Sequence, residues 1–329
     1  MTPKLRFSYC KGAMLLFPAM RCWTVVPSVL LALAVVLRGS AQVDGNGDFK
    51  LKVAVDEVVV TFHAADAQGL PVNDLKLSDI ELLDNDKPPQ RVLVFDSMVD
   101  YPIRAGILMD TSESMAQGIA ANRAVAVAYA RRVLRRKTDE AFVVDFGYVS
   151  NIRQNWSGDS AALSTAVRGI VAGRANPLGG TALFDALFRA CFYQFGKVDH
   201  AASGNFILLF SDGEDNASHT SLADAVDACQ KANTAIYAFR GPAQESSMGP
   251  GALAELAAQT GGRVFHLDDT EAGIYDDLRV IDADLRDQYR IVYRPSELKH
   301  DGSFHEIELR VPDRVTSIHV RTGYYAPSR

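Results

Sequence analysis

Ile103-Arg-Ala-Gly-Ile-Leu-Met109 runs straight into Asp110-Thr-Ser112-Glu-Ser114. The apolar run is strand-length and unbroken by turn residues, which predicts a strand buried on both faces, as in a parallel sheet. The five residues after it are mostly oxygen donors in a turn. Asp110, Ser112 and Ser114 alternate, so a tight loop can aim three oxygens at one point. Mg²⁺ takes about six oxygens at roughly 2.1 Å and keeps some of them as water. One carboxylate and two hydroxyls leave such an ion short of negative charge, so it would seek a further carboxylate from a partner. Alone, the stretch reads equally well as a polar turn capping the next helix.

Two later segments add to it. Gly179-Gly180-Thr181 opens the helical pattern Ala182-Leu-Phe-Asp-Ala-Leu-Phe-Arg-Ala190, which puts the Thr181 hydroxyl in a glycine-rich loop. Phe206-Ile-Leu-Leu-Phe-Ser-Asp212-Gly213 is a second buried strand that ends in a carboxylate. In an open parallel sheet, ligands gather beyond the carboxyl ends of the strands. All five oxygen side chains are expected at that edge.

The pattern D-x-S-x-S, then Thr, then Asp, resembles the metal-ion-dependent adhesion site (MIDAS) of von Willebrand factor type A (VWA) domains. Asp110, Ser112, Ser114, Thr181 and Asp212 match it. The resemblance implies Mg²⁺, or Mn²⁺ or Ca²⁺, held mostly directly by Ser112, Ser114 and Thr181. Asp110 and Asp212 would act directly or through water, and the Asp or Glu of a partner protein would complete the shell. The flanks sharpen the likeness. Leu77-Ser-Asp-Ile-Glu-Leu-Leu-Asp-Asn-Asp-Lys-Pro-Pro-Gln90, Tyr289-Arg-Ile-Val-Tyr-Arg-Pro295 and Val320-Arg-Thr-Gly-Tyr-Tyr-Ala326 resemble the exported, acidobacterial-type bacterial VWFA-related family. Ile80 departs from it, since an aromatic is common there; this touches packing and leaves the metal motif alone.

Strand and helix signals alternate between the flanks. Strands are predicted at 103–110, 140–147, 150–155, 205–211, 235–240 and 263–266. Helices are predicted at 118–137, 159–171, 181–195, 221–233, 251–260 and 270–286. Such alternation predicts a doubly wound α/β fold with a mostly parallel sheet. The ends of the chain are strand-like instead, at 50–56, 58–63, 80–83, 90–95, 288–294, 304–311 and 317–321. They are expected to pair into one antiparallel β-sandwich around the α/β part. The organisation is then a signal peptide (1–41), a linker (42–49), an N-terminal β segment (50–100), the VWA-like α/β part (101–287) and a C-terminal β segment (288–329).

The chain has 329 residues, 48% of them hydrophobic and 22% charged, with a formal net charge of -6. Residues 1–41 carry Lys4, Arg6, Lys11, Arg21 and Arg38 and no acid, which leaves 29 basic against 40 acidic residues, or -11, in the remainder. That balance argues against nucleic acid or an anionic membrane surface as the main partner. The N-terminus reads as an export signal: Val25 to Leu37 is mostly apolar, and Gly39-Ser40-Ala41 supplies small residues for cleavage before Gln42. Thirteen residues are short for a bilayer span, which takes about 20. Arg38 keeps an uncleaved anchor as the competing reading. Export places the protein in the periplasm, at the cell surface or outside, with no membrane span after cleavage.

Cys10 and Cys22 would leave with the signal. Cys191 and Cys229 fall in apolar helical patterns and are read as two buried thiols rather than a disulfide. The Arg131-Arg-Val-Leu-Arg-Arg-Lys137 cluster closes the first helix, where cations complement the negative helix end. Asp185 reads as facing solvent or a helix neighbour, and Glu214 and Asp215 as acids of a solvated turn, with tuning of the rim as the alternative.

Enzyme readings fare worse. A haloacid-dehalogenase-type phosphatase needs a second Asp two residues after the first, and that position is Ser112. There is no G-x-S-x-G elbow, no phosphate loop ending in G-K-[ST], and no zinc-like spacing among the seven His. The sequence points to a metal-dependent protein-binding module and not to an enzyme. The alternatives are an envelope scaffold in which metal only stabilises loops, and the phosphatase.

Overall fold

Every strand signal read within residues 57–327 corresponds to a strand in the computed structural model, which describes residues 57–132, 134–173, 179–197, 204–240, 248–266 and 271–327. The expected signal peptide, the linker and the strand at 50–56 lie outside the described residues.

Three strands come first, β1 (Val58–Ala65), β2 (Glu81–Asp84) and β3 (Arg91–Ser97). The middle of the chain supplies β4 (Ile103–Asp110), α1 (Ile119–Arg132), β5 (Glu140–Phe146), β6 (Ser150–Ser157), α2 (Ser160–Arg168), α3 (Leu183–Arg189), β7 (Gly204–Ser211), α4 (Leu222–Lys231), β8 (Thr234–Arg240), α5 (Gly249–Thr260), β9 (Val264–His266) and α6 (Glu271–Arg286). The chain closes with β10 (Gln288–Arg294), β11 (Phe304–Arg310), β12 (Ser317–Val320) and β13 (Gly323–Tyr325).

The central sheet has the order β6-β5-β4-β7-β8-β9, parallel except for the β5–β6 hairpin. Its inner strands β5, β4, β7 and β8 are largely apolar because helices cover both faces, whereas the edge strand β6 is polar and mostly exposed. The period of two still divides them. Ile103, Ala105, Ile107 and Met109 of β4 face the core shared with Tyr129 of α1, Leu163 of α2 and Ile281 of α6. Leu108, with Phe142 and Val144 of β5, faces the core shared with Leu187 of α3, Val226 of α4 and Leu253 of α5. The fold is the expected doubly wound α/β arrangement.

Helix ends differ from the pattern for local reasons. The first helix stops at Arg132, not near 137, and Asp139 then accepts from the backbone N–H groups of Arg135 (3.1 Å) and Arg136 (2.9 Å). That side chain offers the backbone an alternative to the helix. Beyond α3 the chain winds into a π-helical turn at Ala190–Gln194.

This turn corrects the reading of the cysteines. Cys191 on it and Cys229 on α4 form a disulfide, with their Cα atoms 4.9 Å apart. Each pattern shows a buried cysteine correctly, but only the packing of α3 and its π turn against α4 brings both sulfurs to one spot.

The terminal strands form a four-stranded sheet, β12-β1-β10-β3, and a three-stranded sheet, β13-β11-β2. Both mix strands from the two ends of the chain, and β13 was not foreseen. Val60 and Phe62 of β1, Leu82 of β2, Ile291 of β10 and Leu309 of β11 share one core, so the two sheets make the expected sandwich. Inside it Asp84 accepts from the hydroxyls of Tyr293 and Tyr324, both at 2.8 Å, and lies 2.6 Å from His305 Nδ1.

The α/β layer leaves and re-enters the sandwich side by side. The Met98 N–H, just after β3, donates to the Gln288 carbonyl at the start of β10 (2.7 Å). Close to this seam Arg286 of α6 meets buried Asp139 at 2.5 Å, and Arg263 grips buried Asp284 at 2.6 and 3.0 Å.

Candidate functional site

The order β5-β4-β7 makes β4 the strand where the winding of the sheet reverses. The connections leaving β4 and β7 open a crevice at the carboxyl edge. Asp110 is the last residue of β4, and Asp212 directly follows β7.

Asp110 is fully buried. Its Oδ1 accepts from the Ser112 N–H (2.8 Å) and its Oδ2 from the Ser211 hydroxyl (2.7 Å). Ser211 Oγ also accepts from the Gly213 N–H at 3.0 Å, which ties the end of β4 to the turn after β7. Burial pushes the Asp110 carboxyl up to about 6, against the lowering effect of the bonds from Ser112 and Ser211; the charge of Asp212 raises it further. The two carboxylates are therefore within electrostatic reach of each other. After Asp110 the chain forms a 3₁₀ turn at Glu113–Ala116, on which the Ser112 and Ser114 hydroxyls stand 3.0 Å apart while Glu113 is exposed.

Thr181 is held from two sides. Its N–H donates to Asn216 Oδ1 (2.7 Å), and its carbonyl accepts from the N–H groups of Asn216 and Ala217, both at 3.1 Å. On the other side the Ala182 N–H donates to the Gly147 carbonyl in the β5–β6 turn (2.8 Å). Gly180 makes this approach possible: its φ is +80°, and a Cβ there would lie 2.7 Å from Asn216 Oδ1. The Thr181 loop is thus clasped between the segments that follow β5 and β7, the two neighbours of β4. Asp212, also buried, accepts from the Glu214 N–H at 3.1 Å.

The neighbouring acids are not merely solvated. Glu214 accepts from the Gly249 N–H at the start of α5 (3.0 Å). Asp215 accepts from the Phe184 N–H (2.9 Å) and the Ser218 hydroxyl (2.5 Å). Asp185 accepts from the Thr220 N–H (2.8 Å), and its carboxyl is held below the usual range by bonds to Thr220 and His219 that outweigh burial. These acids fix the rim.

Sequence reasoning missed Ser211 and Asn216. A hydroxyl closing the apolar run Phe206–Phe210 was the available signal for Ser211, since buried polar groups are there to be bonded. Asn216 gave no signal of its own.

The donor set suits a hard divalent cation better than a soft one: two carboxylates and three hydroxyls, without nitrogen or sulfur. Adjacent vertices of an octahedron of about 2.1 Å radius lie about 3.0 Å apart, which is also the Ser112–Ser114 separation. Among the described residues no group of three or more His, Cys, Asp or Glu side chains could hold a metal ion. A site here would have to rest on hydroxyls.

No family model matches the chain, and no curated protein does. Solved structures do. A conserved hypothetical protein, BatB, from Bacteroides thetaiotaomicron is 16% identical with a TM-score of 0.45, over 54% of this chain and 97% of its own. A von Willebrand factor type A protein from Catenulispora acidiphila is 14% identical with a TM-score of 0.45, over 83% of this chain and 73% of its own. Proximal thread matrix protein 1 from the mussel byssus, with a zinc-occupied MIDAS motif, is 13% identical with a TM-score of 0.45; the match covers 56% of this chain and 48% of that one. At such identities these are likenesses of fold and carry nothing about a ligand.

Proposed function

We propose that this is an exported protein-binding module. In this reading Asp110, Ser112, Ser114, Thr181 and Asp212 hold a divalent cation, Mg²⁺ foremost, whose open position takes an acidic side chain of a partner protein. The observation that carries the reading is that two buried carboxylates close the neighbouring strands, Asp110 at the end of β4 and Asp212 just after β7, with the Ser112 and Ser114 hydroxyls 3.0 Å apart in the turn after β4. Carboxylates held out of water are costly unless hydrogen bonds or a positive charge offset them, and a cation at this edge would supply that charge.

The loops are already tied by protein hydrogen bonds, Thr181 to Asn216 and Asp110 to Ser211. An ion is not needed to build them, which favours a binding role over a scaffold with structural metal. Both oxygens of Asp110 are engaged and the residue is fully buried, a poor nucleophile for a phosphoryl group. The Cys191–Cys229 disulfide suits an oxidising compartment and so supports export. No described helix is long and apolar enough to cross a membrane.

Calorimetric titration of the mature chain with MgCl₂, MnCl₂ or CaCl₂ after EDTA treatment tests the metal. Binding in the wild type that disappears in Ser112→Ala and Thr181→Ala is expected. A pull-down from cell-envelope extract tests the partner: captured proteins should be lost when EDTA replaces Mg²⁺. Partners that stay bound in EDTA would refute capture through an ion.

A further inference from the structure

We propose that the open groove along α1, bounded by Arg168 at the end of α2, docks an acidic amphipathic helix of a partner protein, independently of the metal site. The groove has a volume of about 530 Å³. Its floor is apolar, built from alanines four residues apart on α1 and from Val127, and its walls are the arginines 123, 131, 132 and 168. No acid lines it, although the chain carries 40 acids against 34 Lys and Arg.

Two of the four cations lie outside the run that closes α1: Arg123 stands earlier on α1, and Arg168 in the last turn of α2. Arg123 donates to the carbonyls of Arg168 (3.1 Å) and Ile170 (3.3 Å), which fixes the end of α2 against the middle of α1. Arg123 and Arg168 therefore mark one end of the groove, and Arg131 and Arg132 the other. Among the described residues, neither Arg131 nor Arg168 is paired with a carboxylate; both are exposed. Eight residues of helix from Arg123 to Arg131 span about 12 Å.

Charge and shape together select the occupant. A polyanion alone would need the arginines but not the apolar floor, and an apolar helix alone would need the floor but not the arginines. A helix with a small apolar face and two acids about eight positions apart uses both, laying apolar side chains over the alanines while each acid meets one arginine pair. Alanine on the floor lets such a helix approach closely.

The test uses the mature chain and fluorescein-labelled peptides, read by anisotropy in EDTA. One peptide carries the apolar face with two acids eight residues apart; a second has the same composition scrambled. The patterned peptide is expected to bind ~10-fold tighter than the scrambled one, and to weaken between about 0.05 M and about 0.5 M NaCl as screening grows. The double variant Arg131→Glu/Arg168→Glu should lose ~10-fold or more, while Arg91→Glu on β3, an exposed cation elsewhere, should not; circular dichroism checks that each variant is folded. Equal binding of both peptides would overturn the proposal in favour of a simple polyanion patch. So would undiminished binding to the double variant, or none at the highest soluble peptide concentration. Working in EDTA keeps this result separate from the fate of the metal reading.

Discussion

Replacing Asp110 with Asn should stabilise the metal-free protein at neutral pH. The Asp110 carboxyl is raised from its ordinary 3.8 to about 6, chiefly by burial. A raised carboxyl pKa means the folded chain binds its proton more tightly than the unfolded chain does. The resulting stability is complete below about pH 4 and is lost as the pH climbs through about 6. The interval from 3.8 to about 6, at about 1.4 kcal/mol per pH unit, comes to about 3 kcal/mol. Asn has the shape without the charge but cannot accept from both Ser112 N–H and Ser211 Oγ as the carboxylate does, a loss of about 1 kcal/mol. The variant should therefore be more stable than the wild type by about 2 kcal/mol near pH 7.5 in EDTA, and the difference should shrink and change sign by about pH 4.5. Urea denaturation of both proteins across that range measures it. His63 and His319, held below the usual imidazole range chiefly by burial, bend the curve the other way but do so in both proteins. On the proposed metal reading, saturating Mg²⁺ should reverse the order at pH 7.5, since Asn would remove a charged ligand. A wild-type-minus-variant difference that stays flat with pH, or an Asn variant that is weaker in EDTA at pH 7.5, would refute the argument.

Reducing Cys191–Cys229 frees a loop closed over 38 positions, for which chain entropy gives about 4 kcal/mol at 25 °C; the urea midpoint with and without reductant reads this, and two free thiols in the denatured, unreduced mature chain would contradict the bond. Asp84→Ala leaves two buried tyrosine hydroxyls and His305 without their shared acceptor. A loss of about 3–5 kcal/mol in thermal or urea unfolding is expected, and one below about 1 kcal/mol would show that the sandwich core does not depend on this network. Gly213 has φ +86°, and a Cβ there would sit 2.2 Å from the Gly249 carbonyl oxygen. Gly213→Ala must displace either the Asp212 turn or the start of α5, so it should cost about 2 kcal/mol or more and weaken Mg²⁺ binding in calorimetry; unchanged binding would separate that turn from the ion.

Much of the α/β layer was legible because its signals are local. Ile103–Met109 and Phe206–Phe210 are apolar runs bounded by turn residues, and α2 between them carries a clear helical period. The sandwich was legible as strands, though pairing such as Val60 with Ile291 depends on contacts more than two hundred residues apart, which periodicity does not encode. β13 is only three residues long and follows β12 so closely that no turn signal separates them. The cysteines show the same limit: burial is a property of one helix face, whereas a disulfide is a property of two. At the candidate site, five oxygen donors are proposed from the resemblance of the motif, but side chains bonded to two of them give no comparable signal. Ser211 and Asn216 act through partners 101 and 35 residues away, and only the folded geometry reveals those partners.

The hydrogen bond from Met98 to Gln288 has an engineering corollary. Ser97 and Tyr289 are already cross-strand neighbours on β3 and β10, so the smaller core experiences the whole α/β layer as an outsized hairpin loop. A gene that splices β3 to β10 through a two-residue Asn-Gly turn would retain all seven strands of that core. The miniature should fold without the excised layer, at the cost of the contacts that His63 now makes with Asp284 and that Gly323 and Arg321 make with Gln230, and its circular dichroism would show strand signal with the helical bands gone.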